Sequence, residues 1–442
     1  MIEIHIGIDD TDSPTGMCTT YLCAILVEKL LSLPMVRFKD YPYLVRLNPN
    51  IPFKTRGNGA VSLHILCPEE DVSRVLRIVS WAVREYAETH GKTQPAYIIL
   101  QGAPPPILKE LYQRAVRELV PCAYAKRLLE AVKGKVLDLG YRGAGRGLVG
   151  ALSSIGAYPL KEFTYELLLY RRLKDKRRSR EIALEKFFEL DRKFRPTLFA
   201  TVDYVCRRIL ATPHGPDPVI AGLRSLDPSL LSRLLPALVE AFNAERALIF
   251  KTNQATGAHL RIVKRIRDVR PYDSVVLRGE VVRGPEVIRG GHVRFDVRDD
   301  SGSIACMVYR PTGKLNKVAR LLAKGDLIEV GGGALPYSKH GLTLNVEYIR
   351  VLKAEPEREA LNPLCPKCGH RAKSAGRGKG FKCPKCGYKF KGKKVIIERA
   401  RVLEPGLYMP SPIAYRHLTL PKEILGLASV HVRTPLAPWH YP

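Results

Sequence analysis

Four cysteines fall in two C-x2-C pairs, Cys365/Cys368 and Cys383/Cys386, with fourteen residues between the pairs. Each pair can turn two thiolates onto one tetrahedral ion, and the intervening segment has the length of a hairpin, so the pattern predicts zinc. Gly369 and Gly387 directly follow the pairs, where a metal knuckle needs unhindered backbone. Four thiolates leave no open coordination position, so such a zinc would contribute folding energy rather than chemistry. Between 362 and 401 thirteen Lys/Arg accompany a single acid, Glu398, and Phe381, Tyr388 and Phe390 are interleaved with them. That mixture suits RNA, with Arg371, Lys373, Arg377, Lys379, Phe381 and Lys382 as candidate contacts.

A second constellation, Gly7-Ile8-Asp9-Asp10-Thr11-Asp12-Ser13, follows the first strand-like run. Three carboxylates in four residues repel one another unless a cation joins them, and Mg2+ carried by a nucleotide is the natural one, with Asp10 and Asp12 as ligands. Gly16-Met17-Cys18-Thr19-Thr20 then opens a helix, whose N-terminus is an anion site. The alternative is an acidic surface turn with an N-cap. A third stretch sets Lys54, Arg56, Gly57, Asn58 and Gly59 before another apolar run, pairing cations with exposed amides, as phosphate requires. Together these sketch a Mg-ATP site of Asp9, Asp10, Thr11, Thr19, Thr20, Lys54, Arg56, Gly57 and Asn58.

Gly145-Arg146-Gly147-Leu148-Val149-Gly150 matches G-x-G-x-x-G, but a dinucleotide fold would want an acid ending the next strand. Residues 163–172 read there as a helix, so a tight turn into a helix is the better reading. His259 reads as a buried histidine with a satisfied ring. The remaining six of the ten cysteines are scattered and read as buried or free thiols.

These groups need a scaffold, and 442 residues imply two to four domains. Residues 1–115 alternate strands and helices; 116–268 read as a second α+β region. Five strand-like runs follow (275–282, 292–297, 303–309, 327–330 and 342–352), with a helix at 315–323 between the third and fourth. That is the pattern of an OB barrel, an oligonucleotide-binding fold, although small barrels also serve protein contacts. The Pro-rich stretch from 402 to 442 carries little regular structure. Seventy-two Lys/Arg against 43 Asp/Glu give a net charge of +29, which favours a polyanionic partner, and a second basic cluster runs from 171 to 180. No stretch is long and apolar enough for a membrane span and the first residues lack a signal peptide's pattern, so the expected compartment is the cytoplasm. A non-enzymatic nucleic-acid binder would explain 274–401 but leave the acidic turn and Lys54/Arg56 idle. An RNA-stimulated ATPase using another amine or base also stays open.

In this order the motifs resemble the archaeal agmatidine synthetases of isoleucine tRNA. The strings are GIDDTDSPTGMCTTYL (7–22), RLNPNIPFKTRGNGAV (46–61), GRGLVGAL (145–152), TNQATGAHL (252–260), GGHVRF (290–295), SAGRGKGF (374–381) and PGLYMPSPIAYRHL (405–418). The resemblance spans essentially the whole chain. It implies a multidomain α+β protein: a kinase-like ATP-binding domain (1–115), a ferredoxin-like domain (116–268), an OB barrel (269–355), a zinc ribbon (360–401) and a tail (402–442). It implies an ATP-dependent C–N ligase that joins agmatine to C2 of the wobble cytidine in the CAU anticodon, through a phosphorylated cytidine, so that AUA is read. Matched to the family's CTTY string, Thr19 would carry a phosphoryl group; ATP, Mg2+, zinc, agmatine and isoleucine tRNA are the implied ligands. Two positions depart from the family pattern: Gly257 stands where Asp is expected, and Ser225 follows Arg224 in place of a Gly-Glu pair. Asp203 and Asp217 are then the candidate carboxylates for agmatine's guanidinium.

Overall fold

The computed structural model describes residues 1–14, 16–55, 57–89, 91–175, 184–210, 212 and 215–442. The first unit runs β1 (Ile2–Asp9), α1 (Thr19–Leu31), β2 (Arg37–Phe38), β3 (Tyr43–Arg46), β4 (Gly59–Cys67), α2 (Val72–Tyr86), β5 (Ala96–Gln101), α3 (Pro106–Ala115), α4 (Cys122–Val132), β6 (Val136–Tyr141) and α5 (Arg146–Gly156). Strand β1 lies between antiparallel β4 and β5, with Ile4 opposite Ile65 and Gln101. Its apolar run is covered on both faces. Ile4, Ile6 and Ile8 pack with Leu22 and Leu26 of α1 and Val75 and Val79 of α2. On the other face Ile98 and Leu100 meet Leu108, Leu128 and Leu148 from α3, α4 and α5.

The second unit adds β7 (Thr164–Tyr170), α6 (Leu184–Phe194), β8 (Leu198–Phe199), a small hairpin β9 (Val202–Asp203) and β10 (Arg208–Ile209), β11 (Val219–Ser225), α7 (Pro228–Ala241) and β12 (Arg246–Thr252). Residues 163–172, read above as helical, are largely strand: β7 is buried at every position and lies between β12 and β11. A short apolar run buried on both faces has no alternation, and its period alone does not separate strand from helix. Of the basic cluster at 171–180, the half from 176 to 180 lies outside the described residues.

The two units share one sheet. Strand β12 pairs parallel with β3, Lys251 opposite Tyr43 and Thr252 opposite Leu44, giving the order β6-β5-β1-β4-β3-β12-β7-β11-β8. Because β6 pairs with β5, the first unit's sheet continues past the boundary expected at 115/116. Strand β1 is antiparallel to both of its neighbours, β5 and β4, and β6 is separated from β7 by five strands, so the parallel dinucleotide-binding arrangement is absent among the described residues.

Strands β13 (Ser274–Ile288), β14 (His292–Arg298) and β15 (Ser303–Val308), helix α8 (Lys314–Ala319), and strands β16 (Leu327–Ser338) and β17 (Gly341–Lys353) form the expected barrel. It closes where β15 runs parallel to β17. A two-stranded stalk of β18 (Glu357–Leu361) and β22 (Val395–Arg399) carries the cysteine-rich module, whose short strands are β19 (Lys373–Ser374), β20 (Phe381–Lys382) and β21 (Lys389–Phe390). The tail is a strap rather than loose chain. Strand β23 (Gly406–Tyr408) adds to β17, and β24 (His440–Tyr441) adds to β12. Trp439 packs in the sheet core 5.2 Å from Phe38.

Candidate active site

The acidic turn sits where β1 ends against α5. Asp10 adopts φ +55, a left-handed conformation that Asp tolerates. Its Oδ2 accepts hydrogen bonds from Gln94 N (3.0 Å) and from Arg146 Nε (3.1 Å) and Nη2 (2.9 Å). Gln94 completes the arrangement by accepting from Arg146 N through Oε1 at 3.1 Å.

The glycines of G-x-G-x-x-G make this approach possible. Gly145 is the left-handed N-cap of α5, at φ +79. A Cβ at Gly147 would stand 2.6 Å from Gln94 O, and one at Gly150 would stand 1.9 Å from Asp9 Oδ2. The motif is thus a tight turn into a helix that docks against the acidic turn. Burial, then the charges of Asp10 and Asp12, push the Asp9 carboxyl well above its ordinary range. A cation held by these three carboxylates would relieve that repulsion, and hard oxygen donors suit Mg2+.

Asp9, Asp10 and Asp12 line a cavity of about 190 Å3 together with Lys54, Thr55, Gly57, Asn58 and Arg146. Ile51, Phe53, Val120 and Val149 form its apolar part. The two distant motifs of the sequence therefore meet in one pocket. Lys54 Nζ donates to the carbonyls of Pro49 (2.5 Å) and Ile51 (3.2 Å). Partial burial, then the charge of Arg416, lower its pKa. Arg56 lies outside the described residues. Thr11, Thr19 and Thr20 stand behind the described lining: Thr11 Oγ1 donates to Thr19 Oγ1 at 3.0 Å, and Thr19 is 6% exposed.

A larger cleft of about 1080 Å3 opens on the other side of the same loop and shares Leu47, Lys54, Gly57 and Asn58 with the first cavity. Arg46, Arg207, Arg208, Arg224, Arg416 and His417 also line it, and no carboxylate does among the described residues. Beneath it Glu166, 4% exposed, accepts from Arg224 Nε at 3.2 Å and Gln254 Nε2 at 3.1 Å and stands 3.8 Å from Arg46 Nη2. The charge of Arg46, foremost, holds the His417 imidazole well below its ordinary pKa and so neutral. A cation-lined cleft with a buried carboxylate beneath suits a phosphodiester chain.

Barrel and tail hold the shared loop. Asn48 Nδ2 donates to Tyr272 O (2.8 Å) and Asn50 Nδ2 to Ser274 Oγ (2.9 Å). Arg416 Nη1 donates to Asn50 Oδ1 at 2.7 Å and lies 3.2 Å from Glu347 Oε1 of β17. Glu347 Oε2 also meets His259 Nε2 at 2.9 Å, so His259 is a buried histidine with a partner. The family strings contained Arg46, Arg146, Arg416 and His417, but only the fold brings them to the clefts. Arg224 entered the sequence reading only beside the Ser225 departure, and for Glu166 the sequence carried no signal.

Of the candidate agmatine carboxylates, Asp203 adjoins the larger cleft, its Oδ2 accepting from the amide of the lining residue Ile413 at 3.3 Å. Asp203 Oδ1 accepts from Val205 N and Cys206 N, both at 2.9 Å, and Asp217 Oδ1 accepts from Val219 N at 3.0 Å; neither lines the two clefts. Gly257 adopts φ +68, a left-handed conformation that glycine holds freely. Ser225 is fully buried and donates to Asp227 O at 2.9 Å.

In the ribbon the ligand atoms of Cys365, Cys368, Cys383 and Cys386 all lie within 4.8 Å of one another. Cys365 and Cys386 Sγ are 3.6 Å apart, and Cys368 and Cys383 Sγ 3.4 Å. Zn–S bonds of about 2.3 Å in a tetrahedron give edges of about 3.8 Å, so the four thiols fit zinc. Arg371, Lys373, Arg377, Lys379 and Lys382 are exposed. Phe381 is 8% exposed and packs against Phe390, whereas Tyr388 is 45% exposed and stacks on the same ring.

Comparison with known proteins gives one consistent result. Family models match in chain order: a TiaS TCKD domain over 5–140, a TiaS FLD domain over 145–259, an OB-fold nucleic acid binding domain over 275–352 and a TiaS C-terminal zinc ribbon domain over 362–403. The tRNA(Ile2) 2-agmatinylcytidine synthetase TiaS of Thermofilum pendens is 51% identical, covering 97% of each chain. That of Pyrococcus horikoshii is 40% identical, covering 95% of this chain and 96% of its own. A solved TiaS-tRNA(Ile2)-ATP complex superposes with a TM-score of 0.82 at 34% identity, covering 98% of this chain and all of that one. A TiaS-tRNA(Ile2)-AMPCPP-agmatine complex gives 0.80 at 32%, with the same coverage. The chain belongs to the tRNA(Ile2) 2-agmatinylcytidine synthetase family.

Proposed function

We infer that this chain uses ATP to join agmatine to C2 of the wobble cytidine in the CAU anticodon of isoleucine tRNA, so that AUA is read. The observation that carries the site assignment is the shared loop: one cavity gathers three carboxylates and two cations, and a cation-lined cleft lies across Lys54, Gly57 and Asn58 from it. Nucleotide and RNA can thus approach one loop from two sides.

The chemistry explains why both are needed. The 2-oxo oxygen of cytidine is a poor leaving group. Phosphorylated by ATP, it departs as phosphate when agmatine's primary amine attacks C2, and the amine loses a proton. Asp10 and Asp12, with Asp9, would hold Mg2+, which when bound supplies charge neutralisation of the polyphosphate. Lys54 and Arg56 would offset charge on the transferred phosphoryl oxygens. Thr19, at the first turn of α1, would hold a phosphoryl group once its contact with Thr11 opens. The polar floor around Glu166 is a further candidate for agmatine's guanidinium beside Asp203 and Asp217. Arg371, Lys373, Arg377, Lys379 and Lys382 would meet tRNA phosphates, with Phe381 supporting them from the ribbon's interior. A cytoplasmic setting suits such an enzyme, and no described helix is long and apolar enough to cross a membrane.

Mass spectrometry of nucleosides from isoleucine tRNA incubated with the protein, ATP and agmatine tests the reaction. A cytidine carrying agmatine is expected; unmodified cytidine under conditions where the protein binds tRNA and ATP would refute it. Asp10→Asn tests the site: modification should fall about 100-fold or more with tRNA affinity kept, and a parental rate would remove the acidic turn from the mechanism.

A further inference from the structure

We propose that Arg146 is a catalytic residue that exchanges partners: it neutralises Asp10 until metal and nucleotide arrive, then turns to the polyphosphate. The inference rests on the ATP site argued above. Arg146 is the first residue of α5, and both its Nε and Nη2 converge on the one oxygen Asp10 Oδ2. Its side chain is 24% exposed and that of Asp10 11%, so the pair stands at the cavity wall, neither sealed in nor free in solvent. The guanidinium pairs directly with the acidic turn, and it lines the same cavity as Asp9, Asp12 and Lys54.

The surroundings build the position, and besides Asp10 the guanidinium has one further partner, the Lys92 carbonyl, to which Nη2 donates. Backbone and side chain of Gln94 hold Asp10 Oδ2 and the Arg146 amide, and Gly145 and Gly147 let the helix start this close to β5. The main chain at 146 is therefore held by contacts independent of its side chain. A divalent ion on Asp10 competes with Arg146 for the same oxygen. The displaced guanidinium then stands beside a polyphosphate brought by that ion, where its planar fork matches phosphate oxygens. The cost of separating Arg146 from Asp10 is offset by the new phosphate contacts, so release depends on nucleotide as well as metal.

Two opposed changes in one variant test this. In the full chain without nucleotide, Arg146→Gln should bind Mn2+, counted by its paramagnetic resonance, about tenfold more tightly, since a partly buried charge-assisted pair no longer competes. With tRNA, agmatine and ATP the same variant should modify tRNA about 100-fold more slowly. A merely structural arginine would weaken both. Mn2+ affinity at or below the parent's overturns the proposal, as does a parental rate. Should Arg146→Gln not fold, Arg146→Lys carries the test: it keeps the charge but not the fork. Its Mn2+ affinity should stay within about threefold of the parent's while the rate falls about tenfold, and a parental rate again overturns the proposal. Asp10→Asn separates the two readings: active Asp10→Asn removes the ATP site itself, whereas inactive Asp10→Asn beside an unaltered Arg146→Gln removes only the exchange.

Discussion

Glu347→Gln takes the negative charge out of the knot that joins barrel, tail and catalytic sheet. Glu347 is 7% exposed and His259 fully buried, with 2.9 Å between them and 3.2 Å from Glu347 to Arg416. Burial alone would raise the Glu347 pKa, but the charges of His259 and Arg416 outweigh it and bring the value from an ordinary 4.5 to about 2. At about 1.4 kcal/mol per unit that difference corresponds to about 3 kcal/mol, which agrees with the roughly 3–5 kcal/mol lost when a buried pair is broken from one side. The folded pKa lies below the unfolded one, so this stability is fully present above pH 4.5 and is lost as pH falls toward 2. The Gln variant should therefore be less stable by about 3 kcal/mol at pH 5, with a gap that narrows below pH 4.5. Of the two tryptophans, Trp439 is 8% exposed on the strap and Trp81 37% exposed on α2. Urea unfolding of full-length chains carrying Trp81→Phe, followed by Trp439 fluorescence, reads the strap directly. A loss under about 1 kcal/mol at pH 5, or a gap unchanged between pH 5 and pH 3, would refute the reasoning.

Three further outcomes are expected. Gly150→Ala places a methyl 1.9 Å from Asp9 Oδ2; it should lower ATP-dependent modification at least about tenfold and cost about 1–3 kcal/mol of stability, with tRNA affinity unchanged, as read by rate, denaturation and filter binding. Cys383→Ser should reduce zinc from one ion per chain to none by metal analysis and weaken tRNA binding, and a variant that kept both would remove zinc from the ribbon's fold. Lys382→Ala should lower the slope of log affinity against log salt by about 0.7–0.9, and an unchanged slope would place that lysine away from phosphate.

Much of the protein was legible in its residues because the relevant signals are local. The C-x2-C pairs, the five strand-like runs with a helix after the third, and the acids at the end of β1 each depend on neighbours in sequence, and each reappears in the structure. Charge was legible for the same reason: a net +29 favours a polyanionic partner wherever the side chains point. The misreadings share a cause too. Residues 163–172 form a strand buried on both faces, whose run of Leu167, Leu168 and Leu169 has no period to betray it.

What the sequence determined by itself was therefore an inventory: a zinc-binding ribbon, a barrel, an acidic turn and a cationic loop, in that family's order. Which groups share a cavity was decided by tertiary structure. Strand β12 joins β3 and merges two units into one sheet, and Asn48 and Asn50 tie the Lys54 loop to the barrel. The strap, poor in periodic pattern, carries Arg416 and His417 back into the cleft and seats Trp439 in the sheet core. Pairings such as Arg146 with Asp10 or Glu347 with His259 join residues 136 and 88 positions apart. Hydrogen bonds and ion pairs act over a few ångströms of space, and no local periodicity encodes them.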